Sequence, residues 1–257
     1  MESLDAFFES WGLEPIWNNL PRFMSGTLLT IEITALSVAL GLVLAVPLAL
    51  ARVSVNPGLR VPVYCYILYF RGTPLLVQLF LIYYGSGQFR DALESVGLWT
   101  FLREPYFCAI LALTLNTAAY TAEILRGAIQ AVPLGEIEAA RACGMSRPLL
   151  YRRIILPKAA RLALPAYSNE VVFLFQATSL VSIITLMDLT GVGRVIISRS
   201  FRTFEVWIFV GLIYLAITYL IAWIFSKVEY RLMGHLRASP DHKSGGPASS
   251  DAAIAVR

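Results

Sequence analysis

The sequence contains few of the residues that metalloproteins and disulfide-rich proteins rely on. Among 257 residues there are only three cysteines, two histidines and three lysines. The cysteines are scattered, with neither the spacing of a zinc site nor that of a disulfide framework, so we expect them to act as small apolar residues. Both histidines lie at or in a polar C-terminal segment, where we expect them to be solvated. The sequence therefore predicts no metal site.

The sequence also lacks a nucleotide-binding loop. No lysine follows a glycine, so the Gly-x4-Gly-Lys-Ser/Thr pattern that holds phosphates is absent. The His-Glu-x-x-His pattern of zinc proteases and the Gly-x-Ser-x-Gly elbow of serine hydrolases are absent too. We therefore expect this chain to have no enzymatic activity and to bind no cofactor of its own.

Long apolar runs are abundant, in contrast. Hydrophobic residues make up 57% of the chain, and the mean hydropathy is +0.66, which is too apolar for a soluble domain of this length. A helix that crosses a bilayer needs about 20 apolar residues. Five segments are long enough, at residues 24–53, 61–85, 105–129, 162–186 and 204–228. The sequence thus predicts an all-α integral membrane protein with five transmembrane helices. They form a single domain over residues 1–237, and a polar, disordered tail follows over 238–257.

Basic residues are distributed unevenly between the two sides of these spans. Fourteen of the 21 lysines and arginines lie in or beside the loops after the first and third spans, or at and beyond the end of the fifth span. Six lie on the opposite side, and Arg71 lies within the second span. The positive-inside rule therefore places the N-terminus outside, and it places the C-terminus and the loop after the third span in the cytosol.

That cytosolic loop carries a predicted helical hairpin. Residues 133–143 favour a short helix, because Pro133 suits a first turn and the following stretch is rich in alanine. Gly144 can take the left-handed conformation that ends a helix. Ser146 is a suitable N-cap for a second short helix, which we expect Pro157 to stop. A compact hairpin that faces the cytosol indicates a docking element.

The pattern Glu138-Ala-Ala-x3-Gly144-x9-Ile154-x-Leu156-Pro157 resembles the EAA loop of ABC transporter permeases, the membrane subunits of ATP-driven importers. The resemblance implies that this coupling-helix loop contacts the ATPase subunits. Within it, Glu138 and Gly144 would shape the hairpin, while other residues would reach the ATPase surface. The residues assigned to ATPase coupling are Glu138, Ala139, Ala140, Arg141, Gly144, Tyr151, Arg152, Ile154, Leu156 and Pro157, of which Arg141, Tyr151 and Arg152 would reach the ATPase.

The second span carries a further signature, which begins Tyr69-Phe-Arg-Gly-Thr-Pro and looks like the second span of permeases for polar amino acids. An arginine inside the bilayer is costly, so Arg71 should face the bundle interior, a partner or water. Pro74 has no N–H and leaves the carbonyl of Phe70 without its helical donor, and Gly72 weakens the same turn. Broken helices at membrane depth are tolerated where they line a cavity. Arg71 therefore either binds a substrate carboxylate or forms an ion pair that holds helices together.

Other polar residues inside the spans extend this candidate substrate path. With a rise of about 1.5 Å per residue, Glu32 and Arg71 lie at similar depth in a core of about 30 Å. They could pair with each other or share a zwitterionic ligand. Glu170 is the candidate for binding a cationic side chain, although an intramembrane carboxylate can also serve packing. The remaining candidates, whose alternative role is to bond helix to helix, are Gln78, Asn116, Asn169, Gln176, Thr178 and Ser179.

Two further acidic residues have structural explanations. Glu123 lies three residues before Arg126 near the inner end of its span, where an ion pair on one helix face is expected. Asp188 lies near the outer end of the fourth span and could simply face water.

The hairpin pattern from Glu138, the second-span signature from Tyr69 and the segments 116–129 and 177–180 together resemble one branch of permeases. This branch transports histidine, lysine, arginine and ornithine, or octopine and nopaline. The run at 165–171 favours the M-type member of a permease pair. The resemblance implies a transport subunit in the bacterial inner membrane, which works with two ATPase subunits that bind ATP and magnesium. It also implies a homologous second permease, in a heterodimer or a homodimer, and a periplasmic substrate-binding protein, but no nucleic acid.

The alternative is an amino acid carrier driven by an ion gradient without an ATPase. The odd number of spans and the lack of an inverted repeat speak against it. A membrane-embedded hydrolase ranks last, because paired catalytic groups are absent.

Overall fold

The computed structural model of this chain describes residues 14–233, and the predicted disordered tail lies outside them. The described part contains helices and connecting turns and no strand. Short 3₁₀ segments occupy Gly85–Phe89 and Thr178–Ile184, and a π turn occupies Tyr151–Ile155. The α-helices in chain order are α1 (Glu14–Trp17), α2 (Leu20–Val53), α3 (Pro57–Gly72), α4 (Leu75–Tyr83), α5 (Arg90–Ser95), α6 (Trp99–Leu102), α7 (Pro105–Gln130), α8 (Leu134–Ala142), α9 (Arg147–Leu150), α10 (Leu156–Ala177), α11 (Leu189–Ser200) and α12 (Thr203–Met233).

The long helices coincide with the predicted spans. Four helical segments are long and apolar enough to cross a membrane, at Leu20–Val53, Pro105–Gln130, Arg147–Ile184 and Thr203–Leu232. A fifth candidate consists of two helical segments, Pro57–Gly72 and Leu75–Ser95, which meet at an angle of 106°. The all-helical membrane fold predicted from the apolar runs is therefore confirmed.

Helix α7 lies at the centre of the bundle and packs against α2, α3, α4 and α10. Its buried face consists largely of alanine, threonine and Asn116, and small residues let membrane helices approach closely. The closest approach is at Gly41 of α2, where an added Cβ would lie 2.4 Å from Cγ2 of Thr117. Gly41 therefore fixes the spacing between α2 and the polar face of α7.

The second span is broken at the predicted position. Helix α3 ends at Gly72, Thr73 is extended with φ −116° and ψ 147°, and α4 begins after Pro74. Since proline cannot donate a backbone hydrogen bond and disfavours a helical residue before it, the chain turns there and a new helix starts. The break follows directly from the sequence.

The hairpin forms as predicted on one side of Gly144 and differs on the other. Helix α8 spans Leu134–Ala142, and Gly144 has a left-handed φ of 76°. Ser146 occupies the N-cap of α9, although its side chain makes no capping hydrogen bond. The prediction that Pro157 stops the second helix is wrong. The helix passes through the π turn, where the Leu156 N–H bonds to the Tyr151 carbonyl, and continues as α10. The wider turn and the place of Pro157 in the first turn of α10 accommodate the missing N–H.

The opposite end of the bundle contains a buried acidic residue that the sequence placed in water. Asp188 has no exposed surface. It is the N-cap of α11, and its carboxylate accepts hydrogen bonds from the N–H groups of Thr190 (3.2 Å) and Gly191 (3.0 Å). Helix α11 packs against α2 and α12, so long-range contacts bury Asp188. The expectation of exposure is wrong.

Candidate functional site

The broken turn of the second span is held by side chains from two other helical segments. The Phe70 carbonyl, which the break frees, accepts hydrogen bonds from Gln78 Nε2 (2.9 Å) and Asn116 Nδ2 (3.3 Å). Gln78 Nε2 also donates to the Thr73 carbonyl at 3.0 Å, and Asn116 Nδ2 donates to Gln78 Oε1 at 2.9 Å. Both amides are buried. The structure therefore brings the predicted Gln78 and Asn116 together, and their amide groups satisfy the backbone at the break.

Arg71 ends α3 beside this network, and its side chain is exposed. Its guanidinium lies over the Tyr120 ring, 5.1 Å from the ring centroid, and the Tyr120 hydroxyl donates to the Arg71 carbonyl at 3.5 Å. The possible Glu32–Arg71 ion pair is not formed among residues 14–233. Glu32 instead accepts a hydrogen bond from the Tyr106 hydroxyl at 2.6 Å. Arg71 therefore keeps its donor groups available.

Glu170 lies on α10, in the part that packs against α7. Its Oε1 accepts a hydrogen bond from Thr117 Oγ1 at 2.9 Å. Glu170 and Arg71 form no ion pair within residues 14–233. Arg71 and Glu170 thus both contact α7, Arg71 through Tyr120 and Glu170 through Thr117, with no ion pair between them.

The remaining predicted path residues lie elsewhere or bond locally. Asn169 and Gln176 are exposed on α10. The hydroxyl of Thr178 donates to the Phe175 carbonyl at 2.6 Å, and that of Ser179 donates to the Gln176 carbonyl at 2.8 Å. Gln176 and Ser179 line a separate cleft of about 310 Å³ against α12. These residues are thus distinct from the group around Arg71.

Sequence reasoning missed the aromatic support of this site. Arg71 and Tyr120 line a cleft of about 420 Å³ with Tyr64, over whose ring the Arg52 guanidinium lies at 4.8 Å. Tyr120 follows Asn116 by four residues, so both lie on one face of α7, and that spacing is the signal that could have identified Tyr120.

Glu123 lines the same cleft. It accepts from Arg126 Nε at 2.8 Å, so the predicted pair within the helix is confirmed. Arg52 Nε of α2 adds a second contact at 3.1 Å. Because a carboxylate with two arginine partners is well compensated, Glu123 is best explained as a tie between α2 and α7.

The hairpin predicted to contact the ATPase is built by backbone hydrogen bonds around Gly144. The Met145 N–H donates to the Ala140 carbonyl at 3.1 Å, and the Gly144 N–H donates to the Arg141 carbonyl at 2.9 Å. This pair of bonds is the Schellman motif, which needs a left-handed residue. Glu138, expected to shape the hairpin, is exposed and forms no ion pair within residues 14–233. Gly144 therefore carries that role.

The residues predicted to couple to the ATPase divide into an exposed set and a packed set. Tyr151, Ile154 and Leu156 are partly buried against an apolar cluster that includes Ala140. Residues 14–233 contain no group of three or more His, Cys, Asp or Glu side chains arranged for a metal. The exposed coupling residues are Glu138, Ala139, Arg141, Gly144, Arg152 and Pro157.

Comparison with known proteins identifies the family. Residues 37–234 match the family described as "Binding-protein-dependent transport system inner membrane component". The chain is 50% identical over 226 residues to the nopaline transport system permease protein NocM of Agrobacterium fabrum (strain C58), covering 88% of this chain and 94% of that protein. It is 42% identical over 240 residues to the histidine/lysine/arginine/ornithine transport system permease protein HisM of Escherichia coli (strain K12), covering 93% and 100%.

A solved structure shares this fold. The crystal structure of an amino acid ABC transporter with histidines matches at a TM-score of 0.74 and 35% identity, covering 84% of this chain and 96% of that one. The chain therefore belongs to the family of binding-protein-dependent transport system inner membrane components, and it is a multi-pass permease subunit of an ABC importer.

Proposed function

We propose that this permease moves basic amino acids or the opines derived from them into the cytosol. The observation that carries the proposal is that Arg71 and Glu170, two opposite charges beside the broken second span, form no ion pair with each other. Two opposite charges in a membrane domain are costly unless a partner compensates them. A ligand with both a carboxylate and a cationic side chain supplies that compensation, and the named relatives that transport nopaline or basic amino acids support this class.

Each group has a distinct role in this scheme. The Arg71 guanidinium, which is planar and offers several N–H donors, binds the ligand carboxylate while it stacks on Tyr120. The Glu170 carboxylate, oriented by the Thr117 hydroxyl, accepts from the cationic end of the ligand. Gln78 and Asn116 position Arg71 by holding the break in place.

The coupling scheme follows the topology predicted from charge. The N-terminus is outside, and the hairpin around Gly144 faces the cytosol of a bacterial cell with its exposed side toward the ATPase. Two ATPase subunits bind ATP and magnesium, and each contacts one such hairpin. A homologous second permease completes the pore, in a heterodimer rather than a homodimer. A periplasmic binding protein delivers the ligand to the outer mouth.

The experiment that tests this function uses the complete transporter, reconstituted in proteoliposomes with its ATPase, second permease and binding protein. Arginine, lysine, histidine, octopine, nopaline and glutamine are supplied one at a time, and both uptake and ATP hydrolysis are measured. We expect stimulation by several of the basic ligands and little by glutamine. Glutamine uptake that equals arginine uptake would contradict the substrate class. Uptake driven by an ion gradient without ATP would contradict the coupling scheme.

A further inference from the structure

A cleft of about 550 Å³ lies apart from the substrate site, between α8 and the start of α10. The wall on the α8 side consists of Glu136, Ala139, Ala140 and Cys143. The last three follow Glu136 by three, four and seven residues, so all four lie on one helix face. The opposite wall combines apolar residues with three cationic ones. The side chains that matter for its chemistry are Glu136, Cys143, Arg153, Lys158, Arg161 and Leu162. Four residues predicted to couple to the ATPase, Ala139, Ala140, Ile154 and Pro157, also line the cleft, so it adjoins the predicted ATPase contact.

The charge of this cleft is predominantly positive. Lys158 pairs with Glu136, so one of the three cations is joined to the single acidic residue. Arg153 is exposed, and its side chain forms no ion pair or hydrogen bond in the part of the chain that the structure describes. An open cleft with excess cationic charge favours an anionic occupant.

The end of the cleft at Lys158 and Leu162 is expected to lie at the headgroup layer of a bilayer. The fourth span is predicted to enter the hydrocarbon at residue 162, and Lys158 lies about 6 Å before that point at about 1.5 Å per residue. Headgroup regions are about 5–7 Å thick on each side of the hydrocarbon. Leu162 is 40% exposed at this edge and offers an apolar surface directly beside the charges. Arg153 lies deeper in the cytosol, and its long side chain can extend toward the headgroups.

We propose that this cleft binds the headgroup of an anionic phospholipid of the cytosolic leaflet. Its phosphodiester accepts hydrogen bonds from Arg153 beside the Lys158–Glu136 pair, and its acyl chain follows Leu162 into the bilayer. Basic pockets between membrane helices on the cytosolic side are suited to such lipids. Because the cleft joins α8 to α10, an occupied cleft links the coupling hairpin to the surrounding membrane.

Cys143 gives a site-specific test, since it is exposed and lines the cleft. The assembled transporter is placed in nanodiscs of phosphatidylcholine with increasing phosphatidylglycerol. Alkylation of Cys143 by uncharged N-ethylmaleimide is then followed by peptide mass spectrometry. We expect phosphatidylglycerol to slow alkylation. Arg153→Gln should need about five-fold more of this lipid for the same protection, the contribution of one basic residue near an anionic surface. Arg153→Lys should behave like the unmodified protein.

Arg231→Gln is the matched control, because Arg231 is exposed near the end of α12 and does not line the cleft. It should leave the protection by phosphatidylglycerol unchanged, which separates a local site from the general surface potential. The proposal is overturned if Arg153→Gln and Arg231→Gln weaken protection equally, or if phosphatidylglycerol gives none. Equal protection by inorganic phosphate in phosphatidylcholine nanodiscs would show a free-phosphate site instead. Failure of Cys143 to react in either lipid would show that a partner subunit covers the cleft.

Discussion

Substitution of Gly144 by valine should uncouple the ATPase from this permease. At Gly144 an added Cβ meets no atom within 4 Å, so the cost comes from the backbone, whose φ is 76°. The left-handed conformation costs an L-residue about 1–2 kcal/mol, and a β-branched residue is a stronger outlier. The alternative is to open the turn and lose its two hydrogen bonds, at about 1 kcal/mol each. A change of about 2 kcal/mol shifts the hairpin population roughly 30-fold.

Gly97 offers a matched control for this substitution. Its φ is 74°, and an added Cβ there also meets no atom within 4 Å. The Leu98 N–H donates to the Leu93 carbonyl at 2.9 Å, and the Gly97 N–H donates to the Glu94 carbonyl at 3.0 Å, so the turn after α5 has the same motif. Gly97→Val therefore carries the same backbone cost on the side predicted to face outward.

The assay compares both variants for membrane insertion, co-purification of the ATPase and ATP-driven uptake. Gly144→Val should insert normally but retain up to about 30-fold less ATPase, as the population shift implies, and its transport should fall in proportion. Gly97→Val should keep both near the unmodified level. The reasoning is refuted if Gly144→Val retains normal amounts of ATPase, or if both variants lose it equally.

Three further outcomes are expected. Glu170→Gln should lower arginine transport about 10–100-fold relative to a neutral ligand, since hydrogen bonds to charged groups contribute about 1.5–3 kcal/mol; equal losses for both ligands would assign Glu170 to packing. Gln78→Leu should lower the free energy of unfolding of the complex by about 1–3 kcal/mol, because the Phe70 carbonyl loses one of its two donors. Gln176→Leu, at an exposed site, should leave this free energy unchanged, and thermal unfolding measures both. Burial raises the pKa of Asp188 to about 6 from 3.8. The folded state therefore favours the protonated carboxyl of Asp188. The free energy of unfolding should fall by about 3 kcal/mol as pH rises from about 4 to 6. Asp188→Asn should remove that slope, and an unchanged pH profile of thermal unfolding would contradict the assignment.

The parts of the fold that local chemistry controls could be predicted from the sequence. The lengths of the apolar runs located the spanning helices, because a bilayer demands a fixed length. The missing N–H of Pro74 located the break in the second span, and Gly144 located the end of α8. Each of these features depends on one residue or on one short segment.

The features that escaped prediction depend on distant contacts or on an unusual turn. The donors to the Phe70 carbonyl come from Gln78 and Asn116, and the second of these is 46 residues away. Asp188 is buried by packing against helices far along the chain, with the N–H of Leu189 donating to Thr30 Oγ1 across 159 residues. The π turn before Pro157 preserves the helix where proline alone predicts its end. Local propensity contains none of this information.

The side of the membrane that Cys143 faces tests the coupling hairpin most directly. Cys143 is exposed and precedes Gly144, and Arg90→Cys provides an exposed thiol in the loop predicted to face outward. A membrane-impermeant maleimide is applied to right-side-out and inside-out vesicles, and labelling is read from the separate peptides. We predict labelling of Cys143 only in inside-out vesicles and of Arg90→Cys only in right-side-out vesicles. Labelling of Cys143 from the outer face would contradict the assignment of this hairpin as the ATPase contact.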